Sequence, residues 1–146
     1  MDMTMNNKVV LVTGASRGIG RDVALAFASH GAKLVLAARS AERLAQVEKE
    51  IHDRGAEALS VPTDVTSQAS VQAMVDAAMH RFGRIDVLVN NAGIAKVGVI
   101  ESATFHDDVS HTLEASVFGM IRVTHQVLPI LRRQGSGSIV NMSSVM

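Results

Sequence analysis

Three glycines close a short turn near the start of the chain, Thr13-Gly14-Ala15-Ser16-Arg17-Gly18-Ile19-Gly20. A turn of this composition can bring its backbone close to a pyrophosphate, because glycine carries no Cβ and reaches conformations other residues avoid. A helix that begins at the end of the turn would add free N–H groups and the positive end of its dipole. The spacing is G-x-x-x-G-x-G, not the G-x-G-x-x-G of the commonest dinucleotide fingerprint. The turn therefore predicts a dinucleotide phosphate site only in company with a strand before it and a helix after it. The residues that would read the ribose lie further on. An acid about 20 positions after the glycines would hold the 2′-hydroxyl of NAD. Ala38 stands there instead, followed by Arg39, and Arg17 lies within the turn. Two guanidiniums and no carboxylate suit a 2′-phosphate, whose oxygens pair well with arginine. NADP(H) is favoured over NAD(H) on that ground.

The elements that must position these residues alternate along the chain. Lys8–Thr13 is a short β-branched run, apolar on both faces as a central parallel strand requires. Arg21–His30 reads as a helix, with Val23, Ala24, Phe27 and Ala28 inward and Gly31 just past its end. A second strand follows at Lys33–Ala38. Ser40 caps a helix that runs to about Arg54, with Leu44, Val47 and Ile51 as its apolar stripe. Glu57–Val61 is a third strand. Ser67–Phe82 is a third helix, ended by Gly83. Asp86–Asn90 is a fourth strand, Phe105–Arg133 one long helix that Pro129 is placed to kink, and Ser138–Met142 a fifth strand. Parallel neighbours need crossover helices, so this order implies an α/β fold with a Rossmann-type, doubly wound parallel sheet in a single domain over residues 1–146.

In this arrangement the chain resembles the short-chain dehydrogenase/reductase family, of the classical type. Four blocks carry the match: Thr13–Gly20, Asp64-Val65, Asn90-Asn91-Ala92-Gly93, and Ile139-Val140-Asn141-Met142-Ser143-Ser144. Each falls at the C-terminal end of a strand, where open α/β sheets bind ligands. The resemblance implies hydride transfer between NAD(P)H and an alcohol or carbonyl of a small molecule. It implies cofactor contacts at Gly14, Ser16, Arg17, Gly18, Ile19 and Gly20, with Arg39 on the 2′-phosphate. It places Asp64 and Val65 beside adenine, and Asn91, Ala92 and Gly93 on the adenosine side, where they also steady the central strand. Ser144 takes the position of the catalytic serine, which orients the substrate oxygen. Ser116 takes the position of an asparagine that completes the family's proton relay.

Two departures qualify this likeness. The family's proton donor is a tyrosine in Tyr-x-x-x-Lys, roughly a dozen residues after the serine, on one helix face with a lysine that lowers its pKa. This sequence ends two residues after Ser144 and contains no tyrosine. Serine at position 116 also offers less than asparagine, which is both amide donor and carbonyl acceptor. The chain is therefore expected to hold a cofactor and to be inactive by itself. A nucleotide-binding or interaction module, or a fragment without function, are the alternatives. The family's sheet continues past the fifth strand, so here that strand is expected to be an apolar edge. The long helix is apolar almost all round and expects burial on more than one side. In the family it packs on its equivalent in a second subunit, which implies homo-oligomers.

Bulk properties narrow the field further. Apolar residues make up 47% of the 146 and charged residues 19%, which is globular rather than disordered. The formal net charge of zero removes the electrostatic case for nucleic acid or an anionic membrane surface. No apolar run reaches the ~20 residues of a membrane span, and Met1–Lys8 does not resemble a secretory signal. A cytoplasmic protein is expected. There are no cysteines, and the six histidines show no ligand spacing, so no metal site is expected.

Overall fold

The computed structural model describes residues 5–95 and 99–143. Its elements are β1 (Val9–Thr13), α1 (Gly18–Ser29), β2 (Lys33–Ala38), α2 (Ala41–Asp53), β3 (Ala58–Pro62), α3 (Gln68–Phe82), β4 (Val87–Asn90), α4 (Phe105–Leu113), a π-helical turn (Glu114–Phe118), α5 (Gly119–Gln134) and β5 (Ser138–Asn141). The strands form one parallel sheet in the order β3-β2-β1-β4-β5. The chain winds outward from β1 to β3, then crosses back to lay β4 on the other side of β1. The crevice at this reversal is where doubly wound sheets take their ligands.

β1 is buried along its whole length. Its side chains alternate between two layers, as strand geometry dictates. Val10 and Val12 join Ala24, Leu25, Leu44, Val47 and Ile51 beneath α1 and α2. Val9 and Leu11 join Val71, Met74, Val75, Val123 and Val127 beneath α3 and α5. The alternation explains why the strand is apolar throughout rather than at every second residue.

Helix ends follow local chemistry. Ser40 accepts from the Arg43 N–H at 3.4 Å, and Ser67 from the Ser70 N–H at 3.3 Å. Gly83 ends α3 in the left-handed conformation, which satisfies a terminal carbonyl. The single long helix expected over Phe105–Arg133 is interrupted. α4 and α5 run on without a break in helical backbone, but Glu114–Phe118 between them is π-helical. Pro129 lies inside α5. One face of α5 is buried through Val123, Val127, Ile130 and Leu131, while Val109, Leu113, Val117, Phe118 and Ile121 of the same rod are exposed. β5 pairs only with β4 among the described residues, and Val140 is exposed on it. No described helix is long and apolar enough to cross a membrane.

Candidate cofactor site

The glycine turn joins β1 to α1 at the reversal point. Gly14 sits at φ +67°, and a Cβ there would lie 2.8 Å from the Asn91 Nδ2. A Cβ on Gly20 would collide with the Gly14 carbonyl and the same amide nitrogen. Both positions therefore need glycine, and for a shared reason: the turn, the first turn of α1 and Asn91 occupy one tight cluster. Ala15 is buried and its N–H donates to the Ala37 carbonyl, tying the turn to β2.

α1 starts differently from its neighbours. Its N-cap is Arg17, in extended backbone at φ −165° and ψ 169°, with no side-chain cap and no acid in the first turn. The N–H groups there have no side-chain acceptor, whereas α2 and α3 are capped by serine. A helix start without a side-chain cap above a glycine turn leaves its N–H groups and the positive end of its dipole available to an anion. The cradle and the donors both fit a pyrophosphate. Ile19, 62% exposed, lies at the same helix start.

Across the crevice, β4 delivers the Asn90–Gly93 block. Thr13 at the end of β1 is the hinge pin. Its hydroxyl accepts from the N–H groups of Asn91 and Ala92, both at 3.0 Å, and donates to the Val89 carbonyl at 3.4 Å. The Asn91 side-chain amide returns the tie by donating to the carbonyls of Thr13 and Gly14. Asn90, buried beside it, donates to the Thr124 hydroxyl at 3.0 Å and to the Asn141 side-chain oxygen at 2.9 Å. The sequence blocks include Thr13 and Asn90, but neither was singled out as a site residue. Their roles depend on partners more than 30 positions away.

Asp64 and Val65 follow β3. The Asp64 Oδ1 accepts from the Thr66 N–H at 2.9 Å and the Thr66 hydroxyl at 2.8 Å. These two bonds hold its carboxyl below the usual carboxylate range, against partial burial, with Arg39 and Arg122 adding attraction. Val65 rests on Gly119, where a Cβ would lie 2.7 Å from the Val65 Cγ2. Arg17 and Arg39 are both exposed, and neither side chain forms a hydrogen bond or ion pair with a described residue.

Ser116 lies in the π-helical turn. Its hydroxyl donates to the Ile94 carbonyl at 2.9 Å and accepts from the Ile94 N–H at 3.2 Å. Its one proton is held by main chain, so here it anchors the irregular segment at Ile94 that follows Gly93. Ser144 lies outside the described residues. Among the described residues no group of three potential metal ligands comes together.

Comparison with known proteins agrees with this geometry. A family model described as short chain dehydrogenase matches residues 8–146. An uncharacterized oxidoreductase of Staphylococcus saprophyticus is 39% identical over 145 residues, covering 97% of this chain and 57% of that protein. Among solved structures, levodione reductase superposes with a TM-score of 0.90 at 39% identity, over 95% of this chain and 55% of that one. A 7α-hydroxysteroid dehydrogenase complexed with NADH and 7-oxo glycochenodeoxycholic acid gives a TM-score of 0.93 at 30% identity, over 98% of this chain and 55% of that one. The chain thus spans a little over half the length of each protein it matches here. By motif order, fold and family match alike, it belongs to the short chain dehydrogenase family.

Proposed function

We propose that the crevice between the ends of β1 and β4 binds a nicotinamide dinucleotide, NADP(H) in preference to NAD(H). It would serve an oxidoreductase acting on a small-molecule alcohol or carbonyl. The observation that carries this reading is the uncapped start of α1 above the cradle of Gly14 and Gly20. Gly14, Ser16, Arg17, Gly18, Ile19 and Gly20 would hold the pyrophosphate side. Arg39, with Arg17, would meet the 2′-phosphate, since neither guanidinium is hydrogen-bonded or ion-paired to a described residue. Asp64 and Val65 would flank adenine, and Asn91, Ala92 and Gly93 the adenosine side. Once bound, the nicotinamide supplies or accepts a hydride. The family resemblance assigns Ser144 to orient the substrate oxygen.

These 146 residues include no tyrosine, so they offer no phenol to protonate the substrate oxygen. By themselves they are read as binding cofactor without turnover. Calorimetric titration with NADPH and NADH tests this reading. NADPH should bind at least tenfold more tightly, and Arg39→Ala should remove about a factor of ten for NADPH alone, as expected for loss of a charge-assisted phosphate contact. Absence of heat with either cofactor from folded protein would sink the reading. Equal affinity for both would sink its 2′-phosphate part.

A further inference from the structure

One ion pair on the long helical rod joins residues that a uniform α-helix would set apart. The Glu114 carboxylate accepts from the Arg122 guanidinium eight positions on. At 3.6 residues per turn, eight positions leave two side chains roughly 80° apart around the axis, whereas seven leave them within about 20°. The π-helical turn supplies the difference. The Gly119 N–H donates to the Glu114 carbonyl, five residues back instead of four. That wider turn absorbs one extra residue. Arg122 then falls where the seventh residue of a regular helix would lie, on the face of Glu114 and about 10 Å along the axis. Extended glutamate and arginine side chains can span that gap. The pair is partly buried, and the second terminal nitrogen of Arg122, Nη1, is buried without a hydrogen-bond partner among the described residues.

The residues held by this turn meet the segments that follow β4 and β3. Ser116 is its middle residue and bonds both main-chain groups of Ile94. Gly93 packs against it, with 3.1 Å between a Cβ built there and the Ser116 hydroxyl. Gly119 ends the turn and receives Val65. We propose that Glu114 and Arg122 are positioning residues whose ion pair latches the π-helical turn and so holds Ser116 against Ile94 at the mouth of the crevice. Reversion to regular α-helix would rotate Ser116 by roughly 100° relative to α5 and release both bonds to Ile94. The consequence for cofactor rests on the reading of the crevice given above. The latch itself does not.

Amide exchange followed by NMR on the full chain tests the latch. Glu114→Ala and Arg122→Ala are compared with the double variant Glu114→Ala/Arg122→Ala, because Asp64 also attracts Arg122 and would repel a glutamate placed there. Each single variant should lower protection of the Ile94 amide by up to about fivefold, the scale of a partly exposed pair. Leu11 and Val12 in β1 should keep theirs, and the double variant should lose no more than the singles, since the two side chains act as one pair. Unchanged protection at Ile94, a loss shared equally by β1, or a double variant whose loss is the product of the two single losses overturns the latch. NADPH titration of the same proteins separates the two readings. Wild-type protein that binds no dinucleotide overturns the cofactor reading and leaves the exchange result standing. Wild-type protein that binds NADPH, with affinity unmoved in both single variants, overturns the positioning role. An affinity loss of about threefold in the singles, no greater in the double, supports it.

Discussion

The Thr13 hydroxyl shows how much of the site depends on a single oxygen. It satisfies two N–H groups of the segment after β4, which has no strand partner of its own to do so. Valine has nearly the same shape but no acceptor. Thr13→Val leaves both N–H groups to be satisfied by whatever water can enter. An unsatisfied donor costs about 1–3 kcal/mol. The urea midpoint should fall by the equivalent of about 2 kcal/mol with the slope unchanged. An unchanged midpoint would show that the hydroxyl is replaceable. Arg39 is the opposite kind of residue. Its side chain makes no hydrogen bond or ion pair among the described residues and only attracts Asp64 at a distance, so Arg39→Ala should change stability little and act chiefly on affinity for the phosphorylated cofactor.

At the scale of elements, caps sort helices by use. α2 and α3 start on serines that satisfy their own first-turn N–H groups. α1 starts on Arg17, whose side chain makes no cap. The helix that follows the glycine turn therefore starts without a side-chain cap on its first-turn donors. α5 is set by a close approach instead. Gly119 lets it lie directly on Val65, which follows Asp64 at the end of β3. Gly119→Ala would push a methyl group into that contact. Overpacking of this kind costs roughly 1–3 kcal/mol, offset by up to ~1 kcal/mol of better helix propensity. The melting temperature should fall in Gly119→Ala, and Val65→Ala added to it should return most of the loss. A melting temperature that rises on the single substitution would show that α5 can shift freely.

For the whole molecule, the end of the sheet opposite the crevice has its own clamp. The Asp86 carboxylate, 5% exposed, accepts from the Val9 N–H, from Arg84 through two nitrogens, and from Lys8. Burial pushes its pKa up, but the Arg84 and Val9 hydrogen bonds and the neighbouring cations outweigh that and hold it below its ordinary 3.8. The folded chain thus binds this proton less tightly than the unfolded chain. The stability gained is complete above about pH 4 and is lost as pH falls through the lowered folded value. Asp64, lowered by its Thr66 bonds, adds in the same direction. Stability measured by urea unfolding should drop between pH 5 and pH 2, on the order of the acid range of carboxylates. Asp86→Asn should drop less steeply there. An equal slope in wild type and variant would remove Asp86 from the account.

The sequence by itself determined the order of the elements and the chemistry at their ends. Those signals are local. Apolar runs mark β1 and β4, serine caps at 40 and 67 mark α2 and α3, and the glycine turn with Arg39 lies within the first β-α-β stretch. The four ordered blocks extended this to a family because each block is itself contiguous. What the tertiary structure decided is everything that needs two distant segments at once. The order β3-β2-β1-β4-β5 put Thr13 beside Asn91, 78 positions on, and made one cradle of two motifs. The π-helical turn was illegible for a different reason. The rod from Phe105 to Gln134 is apolar on so many sides that adding one residue to a turn leaves no visible break in its pattern. The extra residue shows only in the folded chain, where the Gly119 N–H donates to the Glu114 carbonyl five residues back.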